Sequence, residues 1–216
     1  MRFLGWIFPA TVLLLTGCQK VPENVDDLYF PVGTFHRPDD GGKGEDSSNK
    51  RFSEDLRGMK EGRLTDYPDR TPVFRLFVSP SGEAIASNYL FRLDKRKSGH
   101  VLIFKASNAP VLVQGMTGPG DGRTGVADEI EQSLSDAEVQ TLLDRYEDLD
   151  LCNQPVDRRI VQDGTNWVIE GFNGNMEYCV RHYIDDPNGK RSKAFHDTLF
   201  SMIPQKFRKY RWCCEF

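Results

Sequence analysis

The residues able to do chemistry are few and scattered: four histidines (His36, His100, His182, His196), five cysteines, and two acids, Asp163 and Glu170, in a segment rich in glycine and aromatics. A serine hydrolase would show a G-x-S-x-G elbow and a zinc peptidase H-E-x-x-H; neither string is present. His196 and Asp197 are helix neighbours that point apart, so they read as surface positions rather than as a base and its orienting acid. Cys179 and His182, three apart on a strand, face opposite sides and do not pair as nucleophile and base. Asp163 and Glu170 form an acid and base only if the fold unites them. Their plainer roles are a turn residue and a strand residue bonded to Arg181. The glycine-rich run from Gly115 to Gly125 lacks the lysine of a phosphate-binding loop and reads as a surface loop. No catalytic residue, metal ligand or cofactor is therefore assigned, and enzymatic activity is left open.

The elements that must position these residues begin with a leader. Arg2 precedes an apolar run from Phe3 to Leu15, of signal-peptide length and shorter than the roughly 20 residues of a membrane span. Leu15-Thr16-Gly17-Cys18 resembles the bacterial lipobox. That resemblance implies cleavage before Cys18, lipidation of its thiol, and attachment to the membrane through the acyl chains. Gln19 stands where inner-membrane lipoproteins usually carry Asp, which by the same resemblance points to the outer membrane, facing the periplasm.

Such an address excludes nucleic acid as a partner and places the chain where disulfides persist. With Cys18 as lipid carrier, Cys152, Cys179, Cys213 and Cys214 remain, and four cysteines allow three pairings. The net charge of -4 is unremarkable, but its distribution is uneven. Acids dominate from Asp121 to Asp157 and bases from Lys190 to Arg211, a pattern of two solvated faces or of a surface that steers a partner.

The expected division is a signal peptide over 1–17, a lipidated N-terminus and flexible tether over 18–70, and one globular domain over 71–216 with a basic aromatic tail. The tether rests on the polar run from Pro38 to Lys50, too poor in apolar residues to offset its ordering entropy. As roughly 50 flexible residues it would let the domain range about 40 Å from the membrane. Leu28 to Val32 interrupts it as a patch that docks on the domain or presents a linear motif. Tyr29 and Phe30, with Trp212 in the tail, are the candidate partner contacts.

The domain reads as α+β, an antiparallel sheet made of a meander and a C-terminal hairpin, with two helices. Val73 to Ser79 and Ala84 to Leu93 flank a turn at Pro80-Ser81-Gly82-Glu83, and His100 to Lys105 and Val111 to Gln114 complete the meander. Ser135 and Glu138 form a capping box opening a helix whose buried stripe is Val139, Leu142, Leu143 and Tyr146. Asn173-Gly174 predicts a two-residue turn that sets Trp167 opposite Val180 and Ile169 opposite Tyr178, although a three-residue loop fits as well. Ser192 is expected to cap the last helix, with Phe195, Leu199, Met202 and Ile203 inward.

Arg75, Gly118 to Gly125, Asp163, Gly164, Trp167, Glu170, Gly171, Gly174 and Tyr178 together resemble the pattern of a set of uncharacterised bacterial proteins, DG..W..EG...G.Y, over about 130 residues. The resemblance implies a fold and no activity. An aromatic commonly found there after the first helix is replaced by Leu151-Cys152, and Cys179 lies in the facing hairpin, which implies a Cys152–Cys179 disulfide. The functional expectation is a non-catalytic envelope lipoprotein that binds another protein, such as an inhibitor or immunity partner of an envelope-directed toxin. A small periplasmic hydrolase and a structural envelope component are the alternatives.

Overall fold

The computed structural model describes residues 28–35, 43–67, 72–80, 87–107, 125–154, 165–184 and 190–214. In chain order the elements are α1 (Lys43–Gly58), β1 (Pro72–Pro80), β2 (Tyr89–Arg96), β3 (Gly99–Ser107), β4 (Val126–Ser133), α2 (Asp136–Glu147), β5 (Thr165–Phe172), β6 (Tyr178–Ile184) and α3 (Lys190–Ser201). A short 3-10 turn lies at Leu64–Asp66 and a 3-10 segment at Gln205–Cys214. The six strands form one antiparallel sheet in the order β4-β3-β2-β1-β5-β6, the α+β architecture expected.

β1 lies near the middle, hydrogen-bonded to β2 and β5, and is buried from Phe74 to Pro80 because both faces of the sheet are covered. On one face Phe74, Leu76, Phe91, Phe104 and Trp167 pack against Leu142 and Tyr146 of α2 and Phe195, Leu199 and Phe200 of α3. On the other, Phe77, Leu90, Val168 and Val180 meet Phe52, Leu56 and Met59 of α1 and its end, with Phe30 and Phe35.

This second layer corrects the tether. Within residues 18–70, those at 28–35 and 43–67 belong to the domain, which does not begin near Thr71. Lys43 to Gly58 is polar on average, yet Asn49, Phe52, Ser53, Leu56 and Met59 recur at helical spacing and are buried. Tyr29 and Phe30 are corrected with it. The Asn49 amide donates to the Phe30 carbonyl at 2.8 Å and its oxygen accepts from the Phe30 N–H at 3.3 Å. Phe30 is buried with its ring 5.3 Å from Phe35. The Tyr29 N–H donates to Ser53 Oγ at 2.8 Å and its hydroxyl to the Glu61 carbonyl at 2.8 Å. Tyr29 and Phe30 thus dock on their own domain, while Val32 stays 73 % exposed.

The fourth meander strand is Val126–Ser133; Val111 to Gln114 falls outside the described residues, as does the turn at 81–86. Its acids hid it. Asp128, Glu129 and Glu131 lower the apparent strand propensity, yet the burial alternates residue by residue, as an edge strand requires. The capping box of α2 is formed, with the Ser135 N–H donating to Glu138 Oε2 at 2.8 Å. In α3, Ser192 sits inside the helix rather than at its cap, because the helix already starts at Lys190.

The β5–β6 register also differs from expectation: Trp167 pairs with Tyr183 and Ile169 with Arg181. The loop holds five residues, because the Asn173 side chain accepts from Asn175 N–H at 3.0 Å and Glu177 N–H at 2.9 Å and so caps a wider turn. An odd shift exchanges the faces of β6. Cys179 moves opposite Gly171 on the α2 side, and Val180 opposite Glu170 on the α1 side.

Gly171 has no room for a side chain, since a Cβ there would stand 2.6 Å from the Val73 carbonyl oxygen and 2.9 Å from Phe74 Cα, both backbone. Gly171→Ala is expected to destabilise the domain by about 1–3 kcal/mol, the usual cost of overpacking, measured by urea unfolding.

The basic tail is docked rather than free. Phe207 is buried, the Tyr210 hydroxyl donates to Asp128, and Lys209 pairs with the same carboxylate at 3.0 Å. Arg211 pairs with Asp197 at 2.8 Å. The acidic and basic runs thus partly neutralise each other inside the molecule.

Candidate functional site

Three groups of residues carry chemistry, and their surroundings give them different fates. The first lies on the α1 face, where β1, β2, β3 and β5 each bring one or two charges into an otherwise apolar strand. Arg75 Nε donates to Glu170 Oε1 at 2.7 Å, and its Nη1 donates to the Gly62 carbonyl at 2.8 Å. Arg92 grips Asp94 through both carboxylate oxygens, at 2.8 and 3.1 Å, and donates to the Tyr67 hydroxyl at 2.8 Å. Lys105 pairs with Glu61 at 2.8 Å, and Glu61 also pairs with Arg92 and Arg75. The Tyr178 hydroxyl closes the cluster on Glu170.

Three cations thus face three anions, all buried. Burial alone would raise the carboxyl of Glu61, but Arg92, Arg75 and Lys105 hold it below the ordinary range. Burial would likewise favour a neutral Arg75, and Glu170 and Glu61 keep it charged. A carboxylate fixed as an ion and sealed from solvent neither donates nor accepts a proton near neutrality. The cluster specifies how the sheet and the 59–67 segment fit together. Glu170 is bonded to Arg75, not to Arg181, whose guanidinium instead holds the carbonyls of Gln154 and Cys152 at 2.9 and 3.2 Å.

The second group surrounds His196, which is fully buried in α3 rather than on the surface. Its Nε2 lies 2.8 Å from the Tyr89 hydroxyl, Trp167 packs at a tilt and Phe200 edge-on against its ring, and Asp197 stands 3.7 Å from Nδ1. Burial, against the pull of Asp197, lowers its pKa from 6.5 to about 4. The unfolded chain takes up this proton near 6.5 and the folded chain only near 4. Stability from His196 is therefore complete above 6.5 and lost as the pH falls towards 4. Urea unfolding is expected to show a loss of about 2 kcal/mol between pH 7 and pH 5, absent in His196→Gln.

The third group lines a cleft of about 570 Å³ at the end of the sheet where the β2–β3 and β5–β6 connections meet the end of α2. Val73, Leu143 and Tyr146 give it an apolar floor. Lys95 and His100 stand on one side, and Glu147 and Asp150 come from α2 and the turn after it. Lys95 and His100 are cross-strand partners, so they project side by side on the α2 face. Among the described residues, the side chains of Lys95, His100 and Glu147 enter no ion pair. Two lining residues, Asp150 at φ 50° and Met176 at φ 61°, are non-glycine residues in the left-handed region, a costly conformation that gathers at functional sites. Met176 is 49 % exposed.

Cys152 lines the same cleft and is joined to Cys179, with Cα atoms 5.3 Å apart. Glu177 completes a Cys-Glu-Cys group whose ligand atoms lie within 4.8 Å of one another. The two sulfurs are bonded to each other, so thiolate ligation of a metal would require their reduction first.

Cys18, His36, Asp163 and residues 115–124 lie outside the described residues, and of Trp212 only the backbone is described. Among the described residues Glu170 meets Arg75 and the Tyr178 hydroxyl; the structure brings together Lys95, His100, Glu147 and Asp150, of which the sequence singles out His100 alone. Their one common signal is position, since all sit at or beside turns at one end of the sheet. Among the described residues no helix is long and apolar enough to cross a membrane. Comparison with protein-family models, curated proteins and solved structures finds no match to this chain.

Proposed function

We propose that the protein is a lipid-anchored envelope protein whose domain binds another protein through the cleft between α2 and the β5–β6 loop. The observation that carries this reading is where unspent chemistry remains. The buried ionisable groups of the sheet face one another, whereas Lys95, His100 and Glu147 surround an open apolar floor beside exposed Met176. Such a cleft, apolar with a few convergent polar groups, is what a binding site requires. No serine or threonine hydroxyl and no free thiol lines it among the described residues, which favours binding over hydrolysis through such a nucleophile.

The address rests on Leu15-Thr16-Gly17-Cys18 and on chain length. With residues 28–35 in the fold, nine residues separate Cys18 from Leu28. Fully extended, that chain reaches about 30–35 Å, so the domain works close to the bilayer rather than at the end of a long leash. Labelling with radioactive palmitate is expected in the wild type and lost in Cys18→Ala. A photo-crosslinking amino acid at position 176, in intact cells, is expected to give one discrete protein adduct that the same probe at Gln205 does not. Absence of an adduct at 176, or the same adduct from both positions, contradicts the reading.

A further inference from the structure

We infer that the cleft recognises the carboxyl end of a partner chain whose last residues are apolar. This rests on the cleft being the partner site and names what enters it. Lys95 and His100, paired across β2 and β3, offer two N–H donors side by side at the mouth, and neither is engaged by an acid of this chain among the described residues. A terminal carboxylate gives each donor its own charged oxygen, a stronger match than the one neutral oxygen of an internal carbonyl. Behind them Val73, Leu143 and Tyr146 form an apolar floor for the terminal side chain, and Met176 extends it at the rim.

Opposite the cations, Glu147 and Asp150 present oxygens that would accept the N–H groups of the entering backbone; Asn153 Nδ2 donates to Asp150 Oδ1 at 2.7 Å and fixes that carboxylate in place. About 570 Å³ suits a few residues and is too small for a helix or a sheet edge. A polycationic ligand would meet Lys95 at the mouth and an anionic one would meet Glu147 and Asp150 on the far wall. An apolar chain end satisfies both walls, placing its charge at one side and its amides at the other.

The test uses the full mature chain and two probes, acetyl-Ala-Ala-Leu-Phe as the free acid and as its amide, followed by isothermal titration and by amide chemical shifts. The free acid is expected to bind at least about tenfold more tightly than the amide, the strength of a charge-assisted hydrogen bond. Its shifts are expected at His100, Glu147 and Gly174. Lys95→Met, which keeps the aliphatic stem, is expected to bring the acid down to the level of the amide and leave the amide unchanged. Equal binding of the two probes, preference for the amide, or no binding by either overturns the inference. If that happens while the crosslink from position 176 persists, the protein-binding reading stands and only the chain-end recognition fails.

Discussion

A chain lacking residues 28–67 is expected not to fold. Phe30, Phe35, Phe52, Leu56 and Met59 are each 4 % exposed or less and cover Phe77, Leu90, Val168 and Val180. Burying a side chain of this size contributes about 1.5–3 kcal/mol, so the five together give on the order of 10 kcal/mol, as much as the whole net stability of a typical domain. The same deletion removes Glu61 and leaves the cationic side of the buried cluster in excess. Far-ultraviolet circular dichroism and amide dispersion of the chain from residue 71 are expected to show an unfolded or loosely collapsed state. A cooperative unfolding transition in that fragment would show that the α1 layer is dispensable.

Glu61→Gln is expected to cost about 3–5 kcal/mol, because it keeps the shape and removes the anion that Arg75, Arg92 and Lys105 share. An isolated buried charge is far more expensive than the pair it came from, and here three cations would be left with two anions. The pH dependence follows with a definite sign. The pKa of Glu61 in the fold lies below its ordinary 4.5, so its contribution is present above about 4.5 and is lost as the pH falls through the lower folded value. Urea midpoints at pH 7 and pH 3 are expected to differ less in Glu61→Gln than in the wild type. A wild-type midpoint that Glu61→Gln reproduces at pH 7 would contradict the role given to the cluster.

How much of this could be read in the chain varied by element, for physical reasons. The capping box at Ser135 and Glu138 is a local device, so it survives unchanged from sequence to structure. The β1–β2–β3 meander is likewise legible, because strand formers flank strong turn signals. The α1 layer was hidden by its average polarity: Phe52, Leu56 and Met59 form one narrow stripe in a helix otherwise made of charges and serines. Its stability comes from the sheet it covers, and the sheet's composition says nothing of what will cover it.

The hairpin register failed for a related reason. Asn173-Gly174 has the chemistry of a two-residue turn, but Asn173 uses its side chain as an acceptor for Asn175 and Glu177 instead, and the wider loop puts Val180 rather than Glu177 opposite Glu170. The Tyr178 hydroxyl that donates to Glu170 thus goes with a register that the local turn alone would not choose. The cluster itself draws Glu61, Arg75, Arg92, Asp94, Lys105 and Glu170 from five separate places in the chain. Only charges set into apolar strands, as at Arg75 and Arg92, hint at it. The cleft residues are harder still, since Lys95, His100, Glu147 and Asp150 look like ordinary surface polar residues until the ends of three elements are brought together.

The fold thus separates two kinds of charge. Those on the α1 face are neutralised in pairs and hold two layers together; those at the end of α2 remain open to solvent around an apolar floor. Under the proposed function, binding belongs to the second. Hydrogen–deuterium exchange of the full chain, alone and with the partner identified by crosslinking from position 176, tests this most directly. Slowed exchange is predicted over 95–100, 147–153 and 172–177, with α1 and β4 unchanged; protection centred on α1 or β4, with the cleft segments unaltered, would contradict it.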